Sequence, residues 1–148
     1  MSKTRSVEVV RLQMIREHID YYSTKKINGP SDVAEVVRKF IDSSDREMFV
    51  AVHLATDNRI ASIHLISIGT LNQSLIHPRE CFKAALLSNA QSIVFAHNHP
   101  SGNLEPSIED KEITRKLREC GEVLEVKVLD ALIVSDEGYF SFVENSLL

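Results

Sequence analysis

No stretch of this chain offers the roughly 18 consecutive apolar residues that a membrane-crossing helix needs. The polar, charged start Met1–Arg5 is not followed by the apolar core of a secretory leader. These absences point to a cytoplasmic protein without a membrane partner. Cysteine is scarce too: Cys81 and Cys120 lack metal-site spacing and fall on apolar helical faces, so buried free thiols are expected rather than a disulfide. A basic surplus is missing as well. The net charge of −4 argues against a broad electrostatic clamp on nucleic acid, whose affinity rests chiefly on Lys and Arg neutralising phosphates. Residues 1–26 do carry Lys3, Arg5, Arg11, Arg16, Lys25 and Lys26 against Glu8, Glu17 and Asp20. That local excess reads as a solvated face, and it leaves nucleic-acid contact unsupported by charge.

Internal repeats, low-complexity tracts and domain-separating linkers are also lacking. With 148 residues, 43% of them apolar, the chain reads as one globular domain, 1–148, with a strand-like extension over 1–28 and a core over 29–148. Val7–Ile15 roughly alternates apolar and polar residues with one slip at Val10, which suggests an edge strand carrying a bulge, with a helix as the alternative. Asn28, Gly29 and Pro30 break the chain; Ser31 and Asp32 then cap a helix with Val33, Val36, Val37, Phe40 and Ile41 on one face. Met48–Ala55 and Arg59–Ile68 read as a hairpin turning at Asp57 and Asn58. That hairpin sets His53 and His64 diagonally on one face, as sheet histidines rather than ligands.

An irregular stretch, Thr70–Pro78, carries Thr70, Asn72, Ser74 and His77 where binding groups often collect. A helix follows from about Arg79 to Ala90, in which Cys81 is expected to be core rather than a nucleophile assisted by His77. Three further strands, Leu124–Leu129, Ala131–Ser135 and Tyr139–Val143, complete a pattern of helices alternating with strands around one sheet. The fold class is α/β, or α+β layered.

Chemistry concentrates in Gln91–Cys120, QSIVFAHNHPSGNLEPSIEDKEITRKLREC. Ser92–Ala96 reads as a buried strand ending in His97 and His99, two apart and therefore on the same side of extended backbone. Pro100, Ser101 and Gly102 force a turn. Ser107 caps the next helix, with Glu109 and Asp110 in its first turn; Ile113, Leu117 and Cys120 form its inner face, and Gly121 is placed as its C-terminal cap. Folding the first helical turn back over the strand end would bring Asp110 to the histidines. Two imidazoles and a carboxylate suit zinc with one position left open for water. The alternative on residues alone is a helix cap beside a polar turn.

The whole string HNHPSG, then PS, two residues and Asp, resembles the JAMM metal motif of the JAB/MPN metallopeptidase superfamily, in its RadC-like bacterial branch. The likeness extends through DREMFV, GTLNQSLIHPRE and LLSNAQSIVFAHNHPSG and covers roughly Ser31–Leu148. It implies a curved mixed sheet flanked by helices, cytidine-deaminase-like, and one zinc per chain on His97, His99 and Asp110. It further implies that Glu47, in DREMFV, is the base that takes a proton from water, rather than Glu80, Glu105 or Glu109. Ser107 would hydrogen-bond the oxyanion or the water. The expected reaction is hydrolysis of a peptide or isopeptide bond in a peptide or protein substrate. The alternative is a non-hydrolytic, DNA-repair-associated or partner-binding module on the same fold, against which the intact ligand set and base candidate argue. The family pattern usually has histidine after the Asp130 position, where this chain has Ala131; no metal ligand is lost by that departure. The chain also has no room for the helical segment that larger RadC-like proteins carry ahead of this domain. Oligomeric state is not readable.

Overall fold

Two sequence patterns, short apolar runs and amphipathic helices, resolve in the computed structural model into one sheet between helical layers. The structure describes residues 5–17, 26–41, 45–69 and 76–148. Its elements are α1 (Pro30–Ile41), β1 (Met48–Leu54), β2 (Ile60–Ile68), α2 (Pro78–Leu87), β3 (Ser92–Asn98), α3 (Ile108–Leu124), β4 (Lys127–Val134) and β5 (Tyr139–Ser141). Among them the sheet order is β2-β1-β3-β4-β5. Only the β3–β4 pair is parallel, joined by the α3 crossover; the other neighbours are antiparallel. This is the mixed α/β sheet that the patterns predict.

Every residue of β3 is buried, as a central strand covered on both faces requires. Val50, Val52, Leu54, Val94, Ala96, Leu132 and Val134 point to α1, whose Val33, Ala34, Val37 and Ile41 pack onto them. Phe49, Ala51, Ile93 and Phe95 point the other way, to α2 and α3 through Cys81, Phe82, Ile113 and Leu117. Phe95 is the hub of that second layer, stacked on Phe49 at 5.5 Å and edge-on to Phe82 at 5.8 Å between ring centroids. Burying such a ring stabilises the fold by about 2–3 kcal/mol.

Four expectations change. Val7–Ile15 forms no strand: residues 5–17 have no regular secondary structure and are almost wholly exposed, because alternation alone supplies no partner for the backbone. Gly121 does not end α3. It is buried inside the helix, where a Cβ would meet the Val126 carbonyl oxygen at 2.6 Å and Val128 Cγ2 at 2.9 Å, and the left-handed cap is Glu125 at φ 57°. There is no break at Asp130: it pairs with Val94 inside one continuous strand, β4, and the irregularity is a bulge at the preceding Leu129. The Asp130 carboxylate accepts from Ala131 N–H at 2.7 Å, Val143 N–H at 3.1 Å and the Ser141 hydroxyl at 2.6 Å, so the polar residue is satisfied in place. Finally, β5 is shorter than expected, and the chain turns away after Ser141.

The β1–β2 turn forms at Ala55–Asn58, with Asn58 in the left-handed region at φ 62°. His53 pairs with Ser62 and His64 with Ala51, the expected diagonal. Thr70, Asn72 and Ser74 lie outside the described residues. No helix among those described is long and apolar enough to cross a membrane.

Candidate metal centre

Three local rules bring one site together. Strand alternation puts His97 on the α3 side of β3, and His99 follows where the strand ends. The capping box starts α3: Ser107 Oγ accepts from Asp110 N–H at 3.0 Å, while Asp110 Oδ2 accepts from Ser107 N–H at 2.8 Å. Antiparallel pairing of Phe49 with His97 sets the start of β1, and hence Glu47, at the same end of the sheet.

The resulting distances are short. His97 Nε2 and His99 Nε2 are 3.1 Å apart. Asp110 Oδ1 is 3.3 Å from His97 Nε2, and Oδ2 is 3.3 Å from His99 Nε2. Donors held about 2.0–2.1 Å from a tetrahedral ion lie about 3.3 Å from one another. The spacing therefore fits an ion, and His97, His99 and Asp110 form a cluster that could hold one. Glu47 Oε1 stands 3.9 Å from His99 Nε2, outside that spacing.

Orientation and charge agree. His99 Nδ1 donates to the Asn103 carbonyl at 2.6 Å, which fixes the ring with Nε2 facing the site. Burial opposes ionisation of Asp110, but hydrogen bonds from His97 and His99 outweigh it and hold the carboxyl well below the usual carboxylate range. The hydrogen bond to Asp110 raises His99 against its own desolvation. The cluster thus carries an ionised acceptor facing two imidazoles.

Asn98 was silent in the sequence and proves central. It points to the opposite face from His97, and its Oδ1 accepts from Met48 N–H at 2.6 Å while its Nδ2 donates to the Arg46 carbonyl at 2.9 Å. Those are the two peptide groups on either side of Glu47. The Glu47 carbonyl itself accepts from Gly69 N–H at 2.8 Å. The backbone of Glu47 is therefore fixed at three points. Beside His99 opens a cavity of about 250 Å³ whose wall includes Arg38, Asp45, Asn98, Gly102 and Ser135. Arg38 Nε reaches across to the Ser135 carbonyl at 2.9 Å, fixing α1 to the β4–β5 turn.

Other candidates fall away. Cys81 is fully buried and its thiol is pushed up to about 12 by desolvation, so it is no nucleophile. His77 precedes α2 and makes no side-chain cap. Glu80 pairs with Lys83 at 3.0 Å on the exposed side of α2. His53, bonded to Ser62 Oγ at 2.8 Å, lies four residues along the paired strands from His97's partner Phe49, about 13 Å at strand rise. Ala131 is buried, pairs with Phe95, and lines the same small pocket as His97, Asp110 and Thr114.

With this geometry in hand, the likeness to known proteins is specific. The RadC-like JAB domain matches residues 27–147. A UPF0758 protein of Desulfitobacterium hafniense is 46% identical over 122 residues, covering 82% of this chain and 54% of the relative. Its namesake in Rubrobacter xylanophilus is 49% identical over 122 residues, covering 82% and 53%. That of Finegoldia magna is 45% identical over 135 residues, covering 91% and 59%. The chain thus spans little more than half the length of these relatives.

Proposed function

The chain belongs to the RadC-like JAB domain family, and from that premise we propose that it is a zinc-dependent hydrolase of peptide or isopeptide bonds. One observation carries the proposal: the two imidazole nitrogens lie 3.1 Å apart and each is 3.3 Å from one oxygen of Asp110, while a further carboxylate, Glu47, stands 3.9 Å from His99 Nε2, beyond the tetrahedral donor spacing. His97, His99 and Asp110 would hold one zinc. An ion there would supply Lewis-acid polarisation of water and of the scissile carbonyl.

The rest falls to the chain's own residues. Glu47, its backbone clamped by Asn98 and Gly69, accepts a proton from the attacking water and returns it to the leaving nitrogen. A carbon–oxygen bond forms, the carbon–nitrogen bond breaks, and the base ends as it began. Ser107 Oγ accepts from Asp110 N–H and keeps its own proton to donate to the developing oxyanion. The cavity beside His99, on the α1 side of the sheet, offers room for the part of a peptide or protein substrate that extends beyond the cluster.

Replacing Glu47 by Gln tests this reading. Zinc content should stay near one per chain, while hydrolysis across a panel of peptide and isopeptide substrates should fall by about 10²–10⁴-fold, the usual weight of a general base. Loss of zinc in the variant would make Glu47 a ligand and overturn the assignment. Undiminished hydrolysis would remove Glu47 from the chemistry. A wild-type chain that binds zinc and cleaves nothing in the panel would favour a partner-binding module on the same fold.

A further inference from the structure

An observation unrelated to the metal cluster concerns the opposite edge of the sheet. Among the described residues, five of the twelve exposed large hydrophobics fall within nine positions: Val7, Val9, Val10, Leu12 and Ile15, each at least 75% exposed. Isolated exposed hydrophobics are ordinary, but a dense run of them in a segment with strand alternation marks an interaction surface. Residues 5–17 make no hydrogen bond to the described core. Among the described residues their backbone groups have no hydrogen-bond partner, and their apolar side chains are exposed.

The matching surface is β2. It is an outer strand, and among the described residues nothing pairs with its free side. Edge strands are usually blunted by shortness, charge or proline. The other edge, β5, follows that rule with three residues. β2 does not: its nine residues, IASIHLISI, contain neither a charged residue nor a proline. Its side chains are half-buried apart from Ile68, which is 55% exposed. A long, uncharged edge with unpaired N–H and C=O groups is a template for an added strand.

We propose that Val7–Ile15 of one copy adds as a strand to the β2 edge of a second copy, so that two chains exchange these segments. Lengths match, since Val7–Ile15 and Ile60–Ile68 are both nine residues, about 30 Å of strand. The chain enters the core beside that edge, where Ile27 N–H donates to the Asn58 carbonyl at 2.9 Å in the β1–β2 turn. The stretch from Ile15 to Ile27 can span about 40 Å, enough to cross to a neighbouring β2. The slip at Val10 meets a strand that itself bulges, at Ala61 and Ile66. Each copy gives one segment and receives one, which closes a two-fold pair with both edges covered.

Light scattering on the full chain should give twice the 16.7 kDa chain mass. The double variant Val9→Asp, Leu12→Asp should give the single-chain mass with unchanged zinc content and with circular dichroism that loses only the strand signal of the added segments. Amides of β2 should exchange at least about tenfold faster in the variant than in the wild type. A dimer that persists in the variant would mean another contact, such as β2 against β2, and would overturn the exchange. A wild-type chain that stays monomeric at its highest soluble concentration would also overturn it. If that monomer's β2 amides nevertheless lose protection in the variant, the segment docks on its own chain instead.

Discussion

Asn98→Ala is the sharpest test of how Glu47 is held. The side chain is 8% exposed and makes two bonds, from Met48 N–H at 2.6 Å and to the Arg46 carbonyl at 2.9 Å. Removing it orphans one donor and one acceptor. A buried group left unsatisfied costs about 1–3 kcal/mol. Arg46 is exposed, so water can take over its carbonyl, and Met48 is half-buried. The sum therefore falls toward the low end, and a loss of about 2 kcal/mol in urea unfolding is expected. The functional effect should be larger. With both flanking peptide groups freed, a shift of Glu47 by about 1 Å would lower hydrolysis about 10²-fold. Zinc should remain, because its three ligands come from β3, the turn after it and α3. Asn98→Asp keeps the acceptor for Met48 N–H and loses the donor, so it should fall between wild type and Ala. A stability change within about 0.5 kcal/mol for the alanine variant, the range of an ordinary surface substitution, would refute the clamp. So would loss of zinc together with loss of activity, which would place the damage at the ligands.

Stability should decline as pH falls from about 6.5 to 4. Burial lowers His53 from 6.5 to about 4, so in that window the unfolded chain binds a proton that the folded chain refuses, at a cost of up to about 3 kcal/mol. His53→Gln should flatten the urea midpoint against pH, leaving a residual slope from His64, which is lowered by the same cause; an unchanged slope would clear His53 of the effect. Gly121→Ala should lower the melting temperature and destabilise by about 2 kcal/mol, because its Cβ must displace the Val126 carbonyl and Val128; a neutral or stabilising outcome would show that α3 can shift without cost. Zinc uptake should release protons and weaken as pH falls, since the bond to Asp110 makes His99 easier to protonate in the free protein. Titration in weakly buffered solution reads that release directly, and a pH-independent affinity would contradict it.

Much of the fold was legible because local and global preferences agree. α1 and the β1–β2 hairpin carry their periodicities openly, and both form within a residue or two of their expected bounds. The failures occur where a tertiary contact overrides a local signal. Gly121 looks like a helix stop, yet it is demanded by the close approach of Val126 and Val128 from β4's side. Asp130 looks like a strand break, yet three donors from its neighbour and the 141–143 turn hold its carboxylate. Val7–Ile15 alternates like a strand, but a strand is a pairing and the partner is not encoded in the segment itself.

The metal cluster was legible for the opposite reason: each part rests on a short-range rule. Two residues of strand spacing fix the histidines, and a three-residue capping box fixes Asp110. Asp110 serves both functions with different bonds, taking Ser107 N–H at Oδ2 while presenting oxygens to both imidazoles. The helix cap that competes with the ligand reading on sequence alone is thus the device that aims the ligand. Glu47 and Asn98 behave otherwise. They are 51 residues apart, and only the Phe49–His97 register across β1 and β3 makes them neighbours. A motif can place Glu47 by likeness, but nothing in the sequence around Asn98 says that its amide grips the peptide groups on either side of that glutamate. The candidate ligands are set by local geometry and the proposed base by strand register. Damage to the register should therefore separate metal binding from hydrolysis, whereas damage to the cap should remove both.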